Sequence, residues 1–305
     1  MQLLSAGQEV DDIAAWPNQG SIALTTITQV LGGLVFPECP RWRDGSLWFA
    51  DCHDGKVIQM SPDGRVLDAF DVPGGPSGIG WLPDSTLLVV SIADLCVYRR
   101  GSDGRIVRHA DLSGHHRFHT NDMVVDAAGN GYVGEVGFRV GEEDPRTKCL
   151  LLVRPDGSVD VAAEDLMTPN GAVITADGRT LIVAESRRMR LTAFTIAADG
   201  MLTDPRLFAQ LAPEQVPDGI CLDEESCIWV ASPRACAVLR VSPTAGVIEQ
   251  IPIEGAKPYA CLLGGADRRD LFICLASDHD PQRAREARSG AIAMARVAVA
   301  GCGYP

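Results

Sequence analysis

Pro37-Glu38-Cys39-Pro40, Pro76-Ser77-Gly78, Thr120-Asn121-Asp122, Pro169-Asn170-Gly171, Pro217-Asp218-Gly219 and Pro258-Tyr259-Ala260 are copies of one short polar signature in a chain of 305 residues. From Glu38 to Ser77 is 39 positions, then 44 to Asn121, 49 to Asn170, 48 to Asp218 and 41 to Tyr259. A period of roughly 40–50 residues holding several short strands is the sequence mark of a β-propeller. Each copy opens a repeat, so the six positions are expected to converge on one central axis.

Two interleaved series of turn signals lie between the copies. One runs Asp44-Gly45, Pro83-Asp84, Ala128-Gly129-Asn130, Asp177-Gly178 and Asp223-Glu224. The other runs Pro62-Asp63-Gly64, Asp103-Gly104, Pro155-Asp156-Gly157, Asp199-Gly200 and Pro243-Thr244-Ala245-Gly246. Asp-Gly and Asn-Gly pairs suit hairpin turns because the backbone there needs positive φ. Short β-prone runs such as Leu47-Trp48-Phe49-Ala50, Leu181-Ile182-Val183-Ala184 and Ile228-Trp229-Val230-Ala231 follow the first series. Each repeat therefore supplies three or four antiparallel strands.

The fold expected is all-β: a six-bladed β-propeller closed by an N-terminal strand in the last blade. That strand is Ala23-Leu24-Thr25-Thr26-Ile27-Thr28-Gln29-Val30, whose pairing into the last blade removes two exposed edges. Residues 1–22 are then an extension, 23–298 the catalytic propeller and 299–305 a C-terminal tail. Helical periodicity shows only at Ala284–Arg288. If the motif opens the innermost strand, residues ending each second strand share its face: Asp51 and His53, Ser91 and Asp94, Glu135, Glu185 and Ser186, Ser232 and Arg234.

A net charge of −13 argues against nucleic-acid or anionic-membrane partners, which need clustered Lys and Arg. No run approaches the ~18 apolar residues of a membrane helix, and the first residues lack a signal-peptide pattern, so a cytoplasmic protein is expected. It is expected to be a monomer or small homo-oligomer. The ten cysteines form no zinc-ribbon pattern and read as buried thiols. Ser77 and Ser91 lack a nucleophile-elbow context. His115 and His116 read as a solvated loop, as do Arg187, Arg188 and Arg190.

Among the motif centres, Glu38, Asn121, Asn170 and Asp218 carry side-chain oxygens of the kind that bind hard cations, with no Cys or His in the set. An all-oxygen set suits one divalent ion, Ca²⁺ first, with Mg²⁺, Mn²⁺, Zn²⁺ or Fe²⁺ as alternatives. Taken singly, each motif also reads as a plain turn. Four at corresponding points of successive repeats favour ligands.

Glu38-Cys39-Pro40-Arg41-Trp42, Asn121-Asp122, Pro169-Asn170-Gly171 with Asp177-Gly178-Arg179-Thr180-Leu181, and Pro217-Asp218-Gly219 with Asp223 resemble the senescence marker protein 30/gluconolactonase/luciferin-regenerating enzyme-like family. The likeness spans about residues 34–298. It implies a propeller with one divalent metal in the central tunnel and lactone-hydrolase activity. By position it makes Glu38, Asn170 and Asp218 the metal ligands and Asn121 a residue touching metal or substrate. Asp122 follows Asn121 in the family motif. The chain departs from the pattern at Cys39, where Gly is common, and at His119, where an Arg often binds sugar hydroxyls. Glu135 would add a third carboxylate near the metal.

The expected function is opening of a small lactone ring, with Asp218 as base and Asn121, Asp122, His119 and Glu135 around the substrate. Two alternatives remain: a phosphotriester or aryl-ester hydrolase of the same architecture, and a non-catalytic binding module with a structural Ca²⁺.

Overall fold

A computed structural model describes residues 25–116, 118–135 and 147–304. The described residues form six four-stranded antiparallel sheets, one for each copy of the motif. Strand β1 (Ile27–Leu34) precedes the repeats. Blade one is β2 (Pro37–Arg43), β3 (Ser46–Asp51), β4 (Lys56–Met60) and β5 (Val66–Asp71). Blade two is β6 (Pro76–Trp81), β7 (Leu87–Ser91), β8 (Cys96–Arg100) and β9 (Ile106–Asp111). Blade three is β10 (Thr120–Val125), β11 (Gly131–Glu135), β12 (Lys148–Val153) and β13 (Val159–Leu166). Blade four is β14 (Pro169–Ile174), β15 (Thr180–Glu185), β16 (Arg190–Ile196) and β17 (Leu202–Gln210). Blade five is β18 (Ile220–Leu222), β19 (Ile228–Ser232), β20 (Ala237–Ser242) and β21 (Gly246–Pro252). Blade six joins β22 (Lys257–Gly264), β23 (Asp270–Ala276) and β24 (Gly290–Arg296) to β1 on its outer edge.

That last pairing is the closure expected from sequence. Ile27 lies opposite Ala295 and Thr28 opposite Met294. The strand runs on past Val30 to Leu34, because irregularities in the ladder between Gln29 and Leu31 and between Leu31 and Leu34 absorb Gly32 and Gly33. Joining the chain's two ends in one blade leaves the ring no open inner edge. The segment 1–22 lies outside the described residues.

Second strands are the most apolar: β7, β11 and β19 are buried along their whole length, while the outer strand β5 is largely exposed. The inner strands approach so closely that side chains are excluded at points of contact. A Cβ on Gly171 would stand 2.6 Å from Ile220 N, and one on Gly219 would stand 2.5 Å from the Ala260 Cβ. This explains the glycine that ends the Pro-x-Gly signature: it lets neighbouring blades meet at the axis.

Register confirms which residues share the motif's face. Pro37 pairs with Asp51, Pro76 with Ser91, Thr120 with Glu135 and Pro169 with Glu185. On that face lies helix α1 (Pro281–Ala287), capped by Asp280, which accepts from the Gln282 and Arg283 N–H groups. The helix begins earlier than the periodicity suggests because Asp280-Pro281 is an N-cap followed by proline in the first turn. Ala284 packs into an apolar cluster with Val35, Phe36, Cys52 and Tyr259. Arg285 Nε donates to His53 O at 2.9 Å, tying the helix to blade one.

The opposite face is crossed by the chain's end. Gly301 N donates to Arg268 O at 2.7 Å, Glu224 N to Ala300 O at 2.9 Å and Cys302 N to Leu222 O at 3.0 Å. Ile174 and Tyr304 exchange two backbone bonds of 2.8 Å. Residues 300–304 thus run from blade six over blade five to blade four. Among the described residues, no helix is long and apolar enough to cross a membrane.

Candidate metal centre

Glu38, Asn121, Asn170 and Asp218 stand at equivalent points of blades one, three, four and five, and all four are half-buried. Ser77 and Tyr259, at the same point of blades two and six, are buried. The four oxygen-bearing side chains therefore keep a share of accessible surface while the other two fill in.

Each is held by its neighbours. Ser77 Oγ donates to Asn121 O at 2.9 Å. Asn121 Nδ2 donates to Pro169 O at 3.2 Å, and Asn170 Nδ2 to Ser186 Oγ at 3.3 Å. Ser186 Oγ donates in turn to Pro217 O at 2.8 Å, beside Asp218. With the Asn121 amide N–H engaged on the next blade and that of Asn170 on Ser186 of its own blade, both side chains have carbonyl oxygens left as acceptors.

The electrostatics are unbalanced. Burial raises the Glu38 carboxyl well above its ordinary value, and the charges of Asp218 and then Asp122 push it further. Against this stand only the Cys39 N–H, which Glu38 accepts at 3.2 Å, and Arg41. Asp218 is raised too, by burial first, while a hydrogen bond from Asn170 opposes the shift. Although both side chains retain some surface, the walls round them are dense, and it is this crowding that strips solvation from the carboxylates.

Arg41 does not neutralise the pair. Its Nη2 meets Asp122 Oδ1 at 2.8 Å and also donates to Met123 O, its Nη1 donates to Pro40 O at 2.7 Å and its Nε to Ile79 O at 3.0 Å. The guanidinium is a buried rivet through the inner strands of blades one, two and three. Asp122, expected to face substrate, is its buried partner and also accepts Met123 N at 2.7 Å. In this structure the carboxylate is bound into the scaffold.

Glu135 is bound into the scaffold in a similar way. It is fully buried, accepts Phe118 N at 2.8 Å and lies 3.4 Å from Lys148 Nζ. Two equivalents explain it. Asp51 accepts the Val35 and Phe36 N–H groups at 3.0 and 2.7 Å, and Glu185 accepts Met167 N at 2.9 Å. In blades one, three and four, an acid ending the second strand holds the segment that leads into the inner strand. Strand direction put Glu135 on the motif's face, where it repeats the latch of Asp51 and Glu185. Arg188 and Arg190 likewise belong to the Glu185 latch, at 3.1 and 2.6 Å.

His119 is exposed, two residues before Asn121. His115 is exposed, whereas His116, expected in solvent, is fully buried and its pKa is pushed down to about 4 by burial. Cys39 has φ of 51°, the left-handed region that favours glycine, which accounts for the Gly common at this place. All ten cysteines are free, and burial raises the thiols of Cys39, Cys52 and Cys274. Clefts of about 310 and 280 Å³ lie away from this cluster, one against Leu207 and Phe208 and the other against Trp42, Trp81 and Tyr304.

The donor set fits a hard divalent cation. Two carboxylates crowd a desolvated tunnel, their nearest guanidinium is engaged elsewhere, and two amide oxygens complete the ring. Among the described residues no three His, Cys, Asp or Glu side chains group together.

Residues 36–277 match the model of the SMP-30/gluconolactonase/LRE-like region. The chain belongs to this family. It is 26% identical over 281 residues to a 6-deoxy-6-sulfogluconolactonase of Pseudomonas putida, covering 89% of this chain and 94% of that one. It is 25% identical over 267 residues to regucalcin of Xenopus laevis, covering 84% and 88%. In structure it resembles a luciferin-regenerating enzyme, with a TM-score of 0.78 at 19% identity over 92% of this chain and 99% of the other. That likeness confirms the six-bladed fold.

Proposed function

We propose that this member of the family is a metal-dependent lactonase. The observation that carries the reading is the pair Glu38 and Asp218, two crowded, desolvated carboxylates at the axis with Asn170 and Asn121 beside them. Membership of a family named for gluconolactonase, and similarity to a sulfogluconolactonase, support lactone as the substrate class.

Glu38, Asn170 and Asp218 would hold the ion, with Asn121 within the same ring; Ca²⁺ suits the all-oxygen set best. A divalent ion there supplies Lewis acidity, lowering the barrier by several kcal/mol through the charge that develops on the lactone carbonyl oxygen. Asp218, beside the ion, takes a proton from the attacking water. Asn121 orients the lactone, and the inner strands riveted by Arg41 and Asp122 keep the ligands in register. His119, exposed before the Asn121 strand, contacts substituents on the lactone ring.

The test is a panel of lactones hydrolysed by metal-stripped protein, with Ca²⁺, Mn²⁺, Mg²⁺, Zn²⁺ and Fe²⁺ restored singly. Turnover is expected only after a divalent ion is returned. Full activity of the stripped protein contradicts the reading. Hydrolysis of aryl esters or phosphotriesters in preference to every lactone would replace it with the neighbouring hydrolase class.

A further inference from the structure

Ser186 follows the last residue of β15 and opens a short 3₁₀ turn, Ser186–Arg188. It is 9% exposed, and its N–H donates to Thr168 O at 3.2 Å, which ties it to the entry of the Asn170 strand. Its hydroxyl varies a contact found one blade earlier. There Asn121 Nδ2 donates directly to Pro169 O, the carbonyl before Asn170, at 3.2 Å. Between blades four and five a hydroxyl is interposed. Asn170 Nδ2 donates to Ser186 Oγ at 3.3 Å, and Ser186 Oγ donates to Pro217 O, the carbonyl before Asp218, at 2.8 Å.

The interposed hydroxyl matters because a side-chain amide has two unlike ends. A carbonyl such as Pro169 O only accepts, so it meets the NH₂ end of Asn121 and leaves Oδ1 free. A hydroxyl both donates and accepts, and so can meet either end of Asn170. Its single proton decides. Ser186 spends that proton on Pro217 O, the shorter of its two bonds, and has only lone pairs left for Asn170. The NH₂ end is thereby drawn to Ser186, and Oδ1 stays available as an acceptor. Oxygen is the end that a hard cation takes; the NH₂ end offers it nothing.

We infer that Ser186 is a positioning residue for Asn170: its hydroxyl, anchored on Pro217 O, selects the amide orientation that offers oxygen to a cation. This rests on the reading that Glu38, Asn170 and Asp218 hold a divalent ion. Ser186 acts through Asn170 and also joins the approaches to two ligands, since one hydroxyl touches both Asn170 and the carbonyl before Asp218. Partners of this kind, which orient a ligand without binding the metal, are a large part of a site's affinity.

The experiment is calorimetric titration with CaCl₂ of four metal-stripped proteins: wild type, Ser186→Ala, Asn170→Asp and the double variant. Metal-free thermal unfolding of each establishes that it is folded. Ser186→Ala removes one oxygen and is expected to lower Ca²⁺ affinity about 10-fold. An aspartate at position 170 has oxygen at both ends, so no orientation is left to select. In that background Ser186→Ala is expected to change affinity by less than about twofold. An affinity of Ser186→Ala within about twofold of wild type overturns the inference. Equal losses in the two backgrounds overturn it as well, since a role confined to joining the blades would weaken both alike. Wild type that binds no ion overturns the metal reading and this inference together, so the two failures are told apart.

Discussion

Asp122 and Glu135 show what a single position in a repeat conveys. Both are acids that sequence alone places around the substrate, beside the metal ligand and base Asp218. What separates them is the partner each finds: Asp122 meets Arg41, Glu135 meets Lys148 and the Phe118 N–H, and Asp218 meets one amide. Partners distant in the chain cannot be read from spacing. Glu38, Asn121, Asn170 and Asp218 could be, because a propeller turns equal spacing into a common axis. Asp122→Asn is expected to cost about 3–5 kcal/mol in stability, since it leaves the Arg41 charge buried without its partner. Chemical denaturation reads this directly, and a loss below about 1 kcal/mol would show that the pair is not the rivet described. Glu135→Gln is expected to destabilise by about 1–3 kcal/mol with Ca²⁺ affinity unchanged. Weaker Ca²⁺ binding at unaltered stability would return Glu135 to the metal site.

At the scale of elements, β1 and the chain's last residues close the ring in different ways. Strand β1 was legible because an apolar, β-prone run upstream of six repeats has no other edge to meet. The course of 300–304 was not, since Gly301-Cys302-Gly303-Tyr304 carries no strand pattern and its bonds go to turns of other blades. Those turns stand on the face opposite the proposed site. Deleting residues 299–305 is therefore expected to lower the unfolding midpoint, by about 2–4 °C for each kcal/mol lost, while leaving Ca²⁺ affinity within twofold of the full chain. A truncated protein with lost affinity would show that the far face supports the ligands. The latches of Asp51, Glu135 and Glu185 are the other device at this scale. They bind the entry of an inner strand to the end of its partner, so the motif residue that follows starts from a fixed point.

The whole molecule brings six weak local signals to one axis. In the three Pro-x-Gly copies, at Gly78, Gly171 and Gly219, the glycine lets neighbouring blades touch. The arrangement leaves Glu38 and Asp218 desolvated, with the Asp218 charge raising Glu38 further, so that a proton or a cation is favoured at the axis. The most direct measurement is a CaCl₂ titration of the metal-stripped protein against Asp218→Ala, followed by heat of binding. One ion per chain is expected for wild type, with affinity reduced at least about 100-fold in the variant, as loss of a ligand requires. No binding by wild type, or equal binding by Asp218→Ala, would contradict a metal centre at the propeller axis.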